Sequence, residues 1–145
     1  MTSVGDNLHD DPLVGHLRSL MGEKAVLTDP DVLESYRHDQ ATFCPAGAAR
    51  VLVRPTSTIQ VQQVVLAARE HRTPVVPQGA RTGLSGGANA IDGSILLSME
   101  RMDRVLEVDF DDRVAVVQPG VVNAAFSRLV AEMGLFYPPD PSSWE

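Results

Sequence analysis

Pro77-Gln78-Gly79-Ala80-Arg81-Thr82-Gly83-Leu84-Ser85-Gly86-Gly87-Ala88-Asn89 is the stretch on which the reading of this chain turns. It follows the short apolar run Pro74-Val75-Val76-Pro77 and precedes another, Ile95-Leu96-Leu97. Four glycines, two hydroxyl residues and one arginine fall within its thirteen positions. Glycine adopts positive φ and lets backbone come close to a ligand, so successive N–H groups can converge on an anion. Thr82 and Ser85 offer hydroxyl donors and Arg81 a positive charge. A Walker loop requires Gly-x4-Gly-Lys-Ser/Thr, and no lysine stands here. A Rossmann turn requires Gly-x-Gly-x-x-Gly opening a helix. The spacing is instead Gly79-x3-Gly83-x2-Gly86-Gly87, and Ala88 to Gly93 are too few and too turn-rich to hold a helix. The expectation is therefore a bare loop between two strands, holding an anion without a helix macrodipole behind it. On the residues alone a ligand-free glycine linker stays open. The interleaved leucine and arginine, and the apolar runs on either side, speak against it.

Working outward, Val51-Leu52-Val53 is a strand stopped by Arg54-Pro55. Thr56, Ser57 and Thr58 supply N-caps for a helix with Val61, Val64, Val65 and Ala68 on one side. Residues 51–77 thus form a βαβ unit, which favours a parallel sheet with helices on its faces. Upstream, Leu13, Leu17, Leu20 and Met21 share a helix face closed by Gly22, and Met1 to Asp11 are expected to fray. Thr28-Asp29-Pro30 starts a second short helix running to about Arg37, whose end at Tyr36, His38 and Asp39 reads as ordinary capping. His38 to Ala49 is a loop. Downstream the pattern turns antiparallel: Val105–Phe110 and Val114–Gln118 flank Asp111-Asp112, a candidate two-residue hairpin turn. After Pro119-Gly120 a helix carries Val122, Ala125, Phe126, Leu129, Val130 and Met133 on one face and ends at Gly134. Asn89 is expected to stabilise its turn. The fold class is α+β (α/β): a small parallel β-α-β subdomain followed by the start of an antiparallel one.

The bulk properties narrow the partners. A chain of 145 residues builds one domain with a real core, and 43% hydrophobic with 21% charged residues is globular composition. The net charge of −7 argues against nucleic acid, so any phosphate must be held chiefly by backbone N–H groups. No apolar run approaches the roughly 20 residues of a membrane span. The acidic N-terminus has no secretion signal, and one cysteine, Cys44, suits a reducing compartment, so the cytoplasm is expected. Cys44 reads as a loop or core residue, with a reactive thiol the open alternative. Histidines 9, 16, 38 and 71 show no short ligand spacing, so no metal is expected. The ending Tyr137-Pro138-Pro139-Asp140-Pro141-Ser142-Ser143-Trp144-Glu145 reads as a structured approach to something further, as in a piece of a longer protein.

The run Val76 to Ala88 resembles the pyrophosphate loop of the FAD-linked oxidases of the vanillyl-alcohol oxidase / p-cresol methylhydroxylase superfamily. It is most similar to the glycolate oxidase D-subunit and D-lactate dehydrogenase branch. Arg54-Pro55 with Thr58, Gln118-Pro119-Gly120 and Tyr137 to Ser143 agree as well, so the likeness runs from about residue 28 onward. It implies an incomplete PCMH-type FAD-binding fold: residues 1–27 a tail and helix, residues 28–145 the N-terminal part of the FAD domain. It implies that Pro77, Gln78, Gly79, Ala80, Arg81, Thr82, Gly83, Leu84, Ser85, Gly86 and Gly87 wrap the FAD pyrophosphate. Pro139, Asp140, Ser142 and Ser143 would then pass close to the flavin. Some relatives hold the flavin covalently through a histidine in this loop; none follows His71, so FAD is expected to be non-covalent. The implied activity is hydride transfer from a small 2-hydroxy acid, such as glycolate or D-lactate, to FAD, with electrons passed to an acceptor protein or subunit. The substrate-side residues and a second flavin-binding segment would lie past Glu145, so no catalytic residue is assigned. A non-catalytic binding module, and the flavin subunit of another branch of the fold, remain the alternatives.

Overall fold

The computed structural model describes residues 11–41 and 43–143; the stretch expected to fray lies, except for Asp11, outside them, as do Trp144 and Glu145. In chain order the elements are α1 (Pro12–Met21), a 3-10 turn (Glu23–Ala25), β1 (Val26–Leu27), α2 (Pro30–Ser35), β2 (Val51–Val53), α3 (Thr58–Glu70), β3 (Val75–Gln78), β4 (Ile95–Ser98), β5 (Val105–Asp109), β6 (Val114–Val117) and α4 (Asn123–Glu132).

Each of the first three helices starts at a residue whose side chain replaces a missing backbone partner. Asp11 accepts from the N–H groups of Leu13 and Val14, Asp29 from Asp31 and Val32, and Ser57 from Gln60. Proline follows the cap in α1 and α2, where its absent N–H costs nothing. Gly22 ends α1 at φ +79°, a conformation that glycine adopts without strain. The second helix ends at Ser35, not Arg37. Arg37 has left the helix and donates its guanidinium to the carbonyls of Ala46 and Gly47, fastening the long loop that follows.

One four-stranded sheet, ordered β1-β2-β4-β3, forms the centre. β2 and β3 each run parallel to β4, and β1 pairs antiparallel with β2. The βαβ unit of residues 51–77 is therefore not a pair of neighbouring strands, because β4 inserts between its two halves. The crossover leaves a gap one strand wide, and the all-apolar Ile95-Leu96-Leu97 fills it, buried on both sides. Alternation along the strands divides the interior. Val51, Val53, Ile95 and Leu97 face α1 and α3, packing on Leu13, Leu17, Val64 and Ala68. Leu52, Val76 and Leu96 face the other way, towards α2 residues Val32 and Leu33 and towards Ala90. α1 belongs to the same core as α3. Val65, expected to face inward, is 49% exposed, and Ala67 takes the buried place. A small residue on that stripe lets α3 sit close to the sheet.

β5 and β6 form a separate antiparallel ribbon with a bulge between Val105 and Glu107. Their connection spans Phe110 to Arg113, not the two residues Asp111-Asp112, since Asp109 pairs with Val114. The Asp109 carboxylate accepts from the N–H groups of Asp111 and Asp112, and Arg113 sits at φ 56°. Aspartate side chains make such local turns, and a tight two-residue turn needs positive φ at residues that do not strain there. In α4 only Ala124 and Val130 are buried; Leu129 and Met133 are 38% and 42% exposed. Its expected apolar stripe exists, but the described residues leave most of it uncovered.

Candidate functional site

The glycine-rich segment leaves β3 at Gln78 and carries no helix or strand before β4. Its shape is held from below by three buried polar side chains. Gln78, 1% exposed, donates its amide N–H to the carbonyls of Tyr36 at 2.8 Å and Ala88 at 2.7 Å, clamping the loop's two ends together. Asn89 accepts from the N–H of Asp39 at 2.8 Å and donates to the carbonyls of Cys44 and Pro45. Asp39 accepts from Ala41 N–H at 2.8 Å, and its second carboxylate oxygen lies 3.5 Å from the N–H of Ala88. Gly86 is demanded by this packing, and Gly83 fits it closely. A Cβ at Gly83 would lie 3.3 Å from the Asp39 carboxylate, and one at Gly86, where φ is +73°, would lie 2.7 Å from Cys44 Cβ. Cys44 is thus a partly buried loop residue packed under the glycines.

The N–H groups on the loop's own side tell a different story. Among the described residues, no backbone N–H from Gly79 to Gly87 donates a hydrogen bond within the protein; the first to do so is that of Ala88. Seven of the nine residues are exposed, so these donors face solvent and are available to a ligand. Gly79 and Gly87 also differ from the packed glycines, since a Cβ added at either meets nothing within 4 Å. An anion fits these features: donors are available and the backbone is open to approach.

A hollow of about 730 Å³ opens at the start of this loop. One wall is Gly79, Ala80 and Arg81, the opposite one Pro139, Asp140, Pro141 and Ser143, with Tyr137 beside them; Pro119 to Asn123 and Glu100 complete it. The two stretches singled out from sequence therefore face each other. Not all of their residues do. Pro77 is an exposed strand residue, Gln78 is buried beneath, and Thr82, Gly83, Leu84, Ser85, Gly86, Gly87 and Ser142 do not line the hollow. The hydroxyls of Thr82 and Ser85 are accordingly not directed at it, and Leu84 is 72% exposed. The far wall is held by Tyr137, which meets the Phe126 ring of α4 edge-on at 4.9 Å.

Two features of the hollow were not foreseen. Its floor is the N-terminus of α4, whose N-cap Val122 supplies no side-chain acceptor. The first N–H groups of that helix and the positive end of its dipole therefore open onto the same space as Gly79–Arg81. The sequence reading set no helix behind the loop; the structure brings the N-terminus of α4, more than 30 residues downstream, to the same hollow. Pro119-Gly120 followed by an uncapped valine was the sequence signal for it. Gly120 is there by necessity, since a Cβ would collide with the carbonyl oxygens of Met99 and Met102.

The second is a charged rail. Arg81, at φ 57°, lays its guanidinium 4.1 Å above the Tyr36 ring. The Tyr36 hydroxyl donates to Glu100 at 2.5 Å, and Arg54 donates to the other Glu100 oxygen at 3.1 Å. Burial works to raise the Glu100 carboxyl, but hydrogen bonds from Tyr36 and Arg54 and the attraction of Arg54 and Arg81 outweigh it and hold the group below its ordinary value. Burial first, and then the Glu100 carboxylate, push the Tyr36 hydroxyl up. Two guanidinium groups against one carboxylate leave the rail one positive charge in excess. Tyr36, expected to be an ordinary helix end, is the platform on which Arg81 rests.

A further groove, about 680 Å³, lies between the β5–β6 ribbon, α4 and residues 134–138. Its walls are mostly apolar, with Val114, Val117, Phe126, Val130 and Leu135 among them, and it includes none of the residues picked out for anion binding. It is the uncovered core side of the ribbon and α4.

A family model described as an FAD binding domain matches residues 49–145. A D-2-hydroxyglutarate dehydrogenase of Stutzerimonas stutzeri is 42% identical over 135 residues, covering 92% of this chain and 29% of the relative. A D-lactate dehydrogenase of Anaerostipes hadrus is 38% identical over 118 residues, covering 81% of this chain and 25% of the relative. The chain thus spans under a third of the length of these relatives. Among solved structures, p-cresol methylhydroxylase with substrate bound superposes with a TM-score of 0.76 at 26% identity, over 92% of this chain and 26% of that one.

Proposed function

The chain belongs to the FAD binding domain family, and from that premise we propose that residues 28–145 are the N-terminal part of the cofactor cradle of a flavin-dependent oxidoreductase acting on a small 2-hydroxy acid. The single observation carrying this reading is that Gly79, Ala80 and Arg81, whose N–H groups have no hydrogen-bond partner among the described residues, line one hollow with the N-terminus of α4. FAD carries a diphosphate, and unpaired amides with a helix dipole are the means by which an acidic protein holds one.

In this reading the N–H groups of Gly79, Ala80 and Arg81 meet the diphosphate from one side and the first turn of α4 meets it from another. Arg81, steadied on Tyr36, adds charge, while Glu100 is kept ionised and hydrogen-bonded so that its own charge is offset by Arg54. Pro139, Asp140 and Ser143 form the opposite wall, nearer the flavin. Pro77 and Gln78 set the loop's exit from the sheet. Thr82 to Gly87 supply further donors outside the hollow. When bound, FAD supplies the acceptor for a hydride from the carbon bearing the substrate hydroxyl. This chain's own residues bind and orient it. The loop carries no histidine, which supports non-covalent binding. The relatives named for D-lactate and D-2-hydroxyglutarate support a 2-hydroxy acid as substrate class. The substrate itself, and an electron-accepting protein or subunit, would engage parts of the protein beyond these residues. Among the described residues no helix is long and apolar enough to cross a membrane, and with a single cysteine we place the protein in the cytoplasm.

Gly79→Leu tests the reading. The added side chain meets no protein atom at its Cβ, so fold and melting temperature should stay as in the wild type, while the hollow is obstructed. Titration with FAD, followed by flavin fluorescence, should show saturable binding to the wild type and a loss of at least about tenfold in affinity for the variant, or about 1.4 kcal/mol. Equal binding by both proteins, or none by the wild type, contradicts it.

A further inference from the structure

Away from the hollow, two histidines 55 residues apart in the chain meet. His16 lies in the middle of α1, Glu70 is the last residue of α3, and His71 is the residue that ends it. His16 Nδ1 is 3.3 Å from His71 Nε2 and 3.8 Å from a Glu70 carboxylate oxygen, and the three ligating atoms all lie within 4.8 Å of one another. The rings are tilted at 55° with centroids 5.5 Å apart, so they approach through their nitrogen edges rather than by stacking.

Two imidazole nitrogens that face each other direct lone pairs at one point unless a proton or a cation lies between them. A shared proton gives a single N–H hydrogen bond, for which 3.3 Å is at the long end, and leaves the Glu70 carboxylate beside it unused. A tetrahedral ion with metal–nitrogen bonds of about 2.0–2.1 Å places its two ligand nitrogens about 3.3 Å apart. The observed spacing matches the second case. The Glu70 side chain is 70% exposed, so it is free to turn towards the two imidazoles and bring its carboxylate within ligating distance. We propose that His16, Glu70 and His71 form a binding site for one divalent transition-metal ion of the zinc class. Two imidazoles and a carboxylate suit zinc, nickel or copper(II), whereas calcium and magnesium prefer oxygen throughout. Water completes the coordination on the open side.

The ion bridges α1 to the end of α3. α1 contributes Leu13, Val14 and Leu17 to the core and is joined to the rest of the fold by these packing contacts, a short 3-10 turn, the Asp11–Arg50 pair and the Arg18–Thr28 hydrogen bond. A ligand from each helix ties the two together at the surface end of their contact. None of the three residues lines the hollow, so the site stands independently of cofactor binding. The sequence concealed it because the ligands are brought together by the packing of α1 on α3, not by local spacing.

Titrating the metal-free 145-residue chain with Zn(II) should show one equivalent bound, with a Kd on the order of 1–10 μM, and a rise in Tm reversed by EDTA. Co(II) should give the visible absorption of a four-coordinate ion with nitrogen ligands. His16→Gln and His71→Gln should each weaken binding by at least about tenfold, and Glu70→Gln by less, with far-UV circular dichroism unchanged. His9→Gln and His38→Gln should leave it intact. No saturable binding by the wild type, or binding that survives His16→Gln or His71→Gln, overturns the proposal. Should either histidine variant lose structure, the Glu70→Gln protein decides: an unaltered Kd and Co(II) spectrum also overturn it.

Discussion

Gln78 shows how a single side chain sets the loop's geometry. Its amide reaches out of the last position of β3 and holds the Ala88 carbonyl at the far end of the segment it precedes and the Tyr36 carbonyl at the end of α2. Without it two partly buried carbonyls lose their donor and a cavity opens under the glycines. Gln78→Ala should therefore lower the unfolding free energy by about 2–4 kcal/mol, read from urea denaturation. A loss under about 0.5 kcal/mol, typical of surface changes, would show that the loop keeps its shape by other means. That glutamine was singled out in the sequence as a ligand-side residue. The structure places it beneath the loop, a distinction that residue type and position cannot make, since the direction of a strand side chain depends on which sheet face is which. Arg81 was similarly visible as a charge, but its seat on Tyr36 joins residues 45 positions apart and carries no local signature.

At the scale of elements, local chemistry was legible wherever it was self-contained. Asp11, Asp29 and Ser57 start helices, Gly22 stops one, and the apolar runs at Val51, Val75 and Ile95 are strands. The order β2-β4-β3 was not, because a βαβ pattern is equally compatible with adjacent strands or with a gap between them. The two-residue strand β1 was missed for a related reason: it is too short for any alternation and exists only because β2 offers it an edge. Asp11 joins element and core, capping α1 and pairing with Arg50 at 2.6 Å. Burial opposes ionisation of Asp11, but the Arg50 hydrogen bond, the N–H groups of Val14 and Leu13 and the Arg50 charge together hold its carboxyl below the ordinary 3.8. A carboxyl depressed by folding contributes stability that is fully present above its unfolded value and lost as pH falls through its folded one. Asp11→Ala should cost about 1–2 kcal/mol at neutral pH. The gap to wild type should close as the pH is taken below 3.8, measured by urea midpoints across the acid range. A gap that persists undiminished in acid would assign the loss to packing alone.

For the molecule as a whole, the sheet separates two kinds of face. Towards α1 and α3 it buries a finished core; beyond the sheet, the β5–β6 ribbon and α4 keep Leu106, Val114, Val116 and Leu129 exposed. The hollow proposed to receive the diphosphate lies where these two parts meet, lined by the loop after β3 and the start of α4. Its location was legible only in halves. The glycine loop and the Pro139–Ser143 segment were each conspicuous, but their meeting across α4 depends on how the second subdomain sits against the first, which no local pattern records. The central claim is that unpaired amides of the loop, together with the α4 N-terminus, receive the FAD diphosphate. The most direct measurement is a backbone amide NMR titration of the isotopically labelled chain with FAD, repeated with ADP, which has the diphosphate and no flavin. Both ligands should shift the amides of Gly79, Ala80, Arg81, Asn123 and Ala124 most strongly, with FAD alone adding shifts at Asp140 and Ser143. Shifts confined to the apolar groove of Val114, Phe126 and Val130, or loop amides unmoved by a ligand that binds, would contradict it.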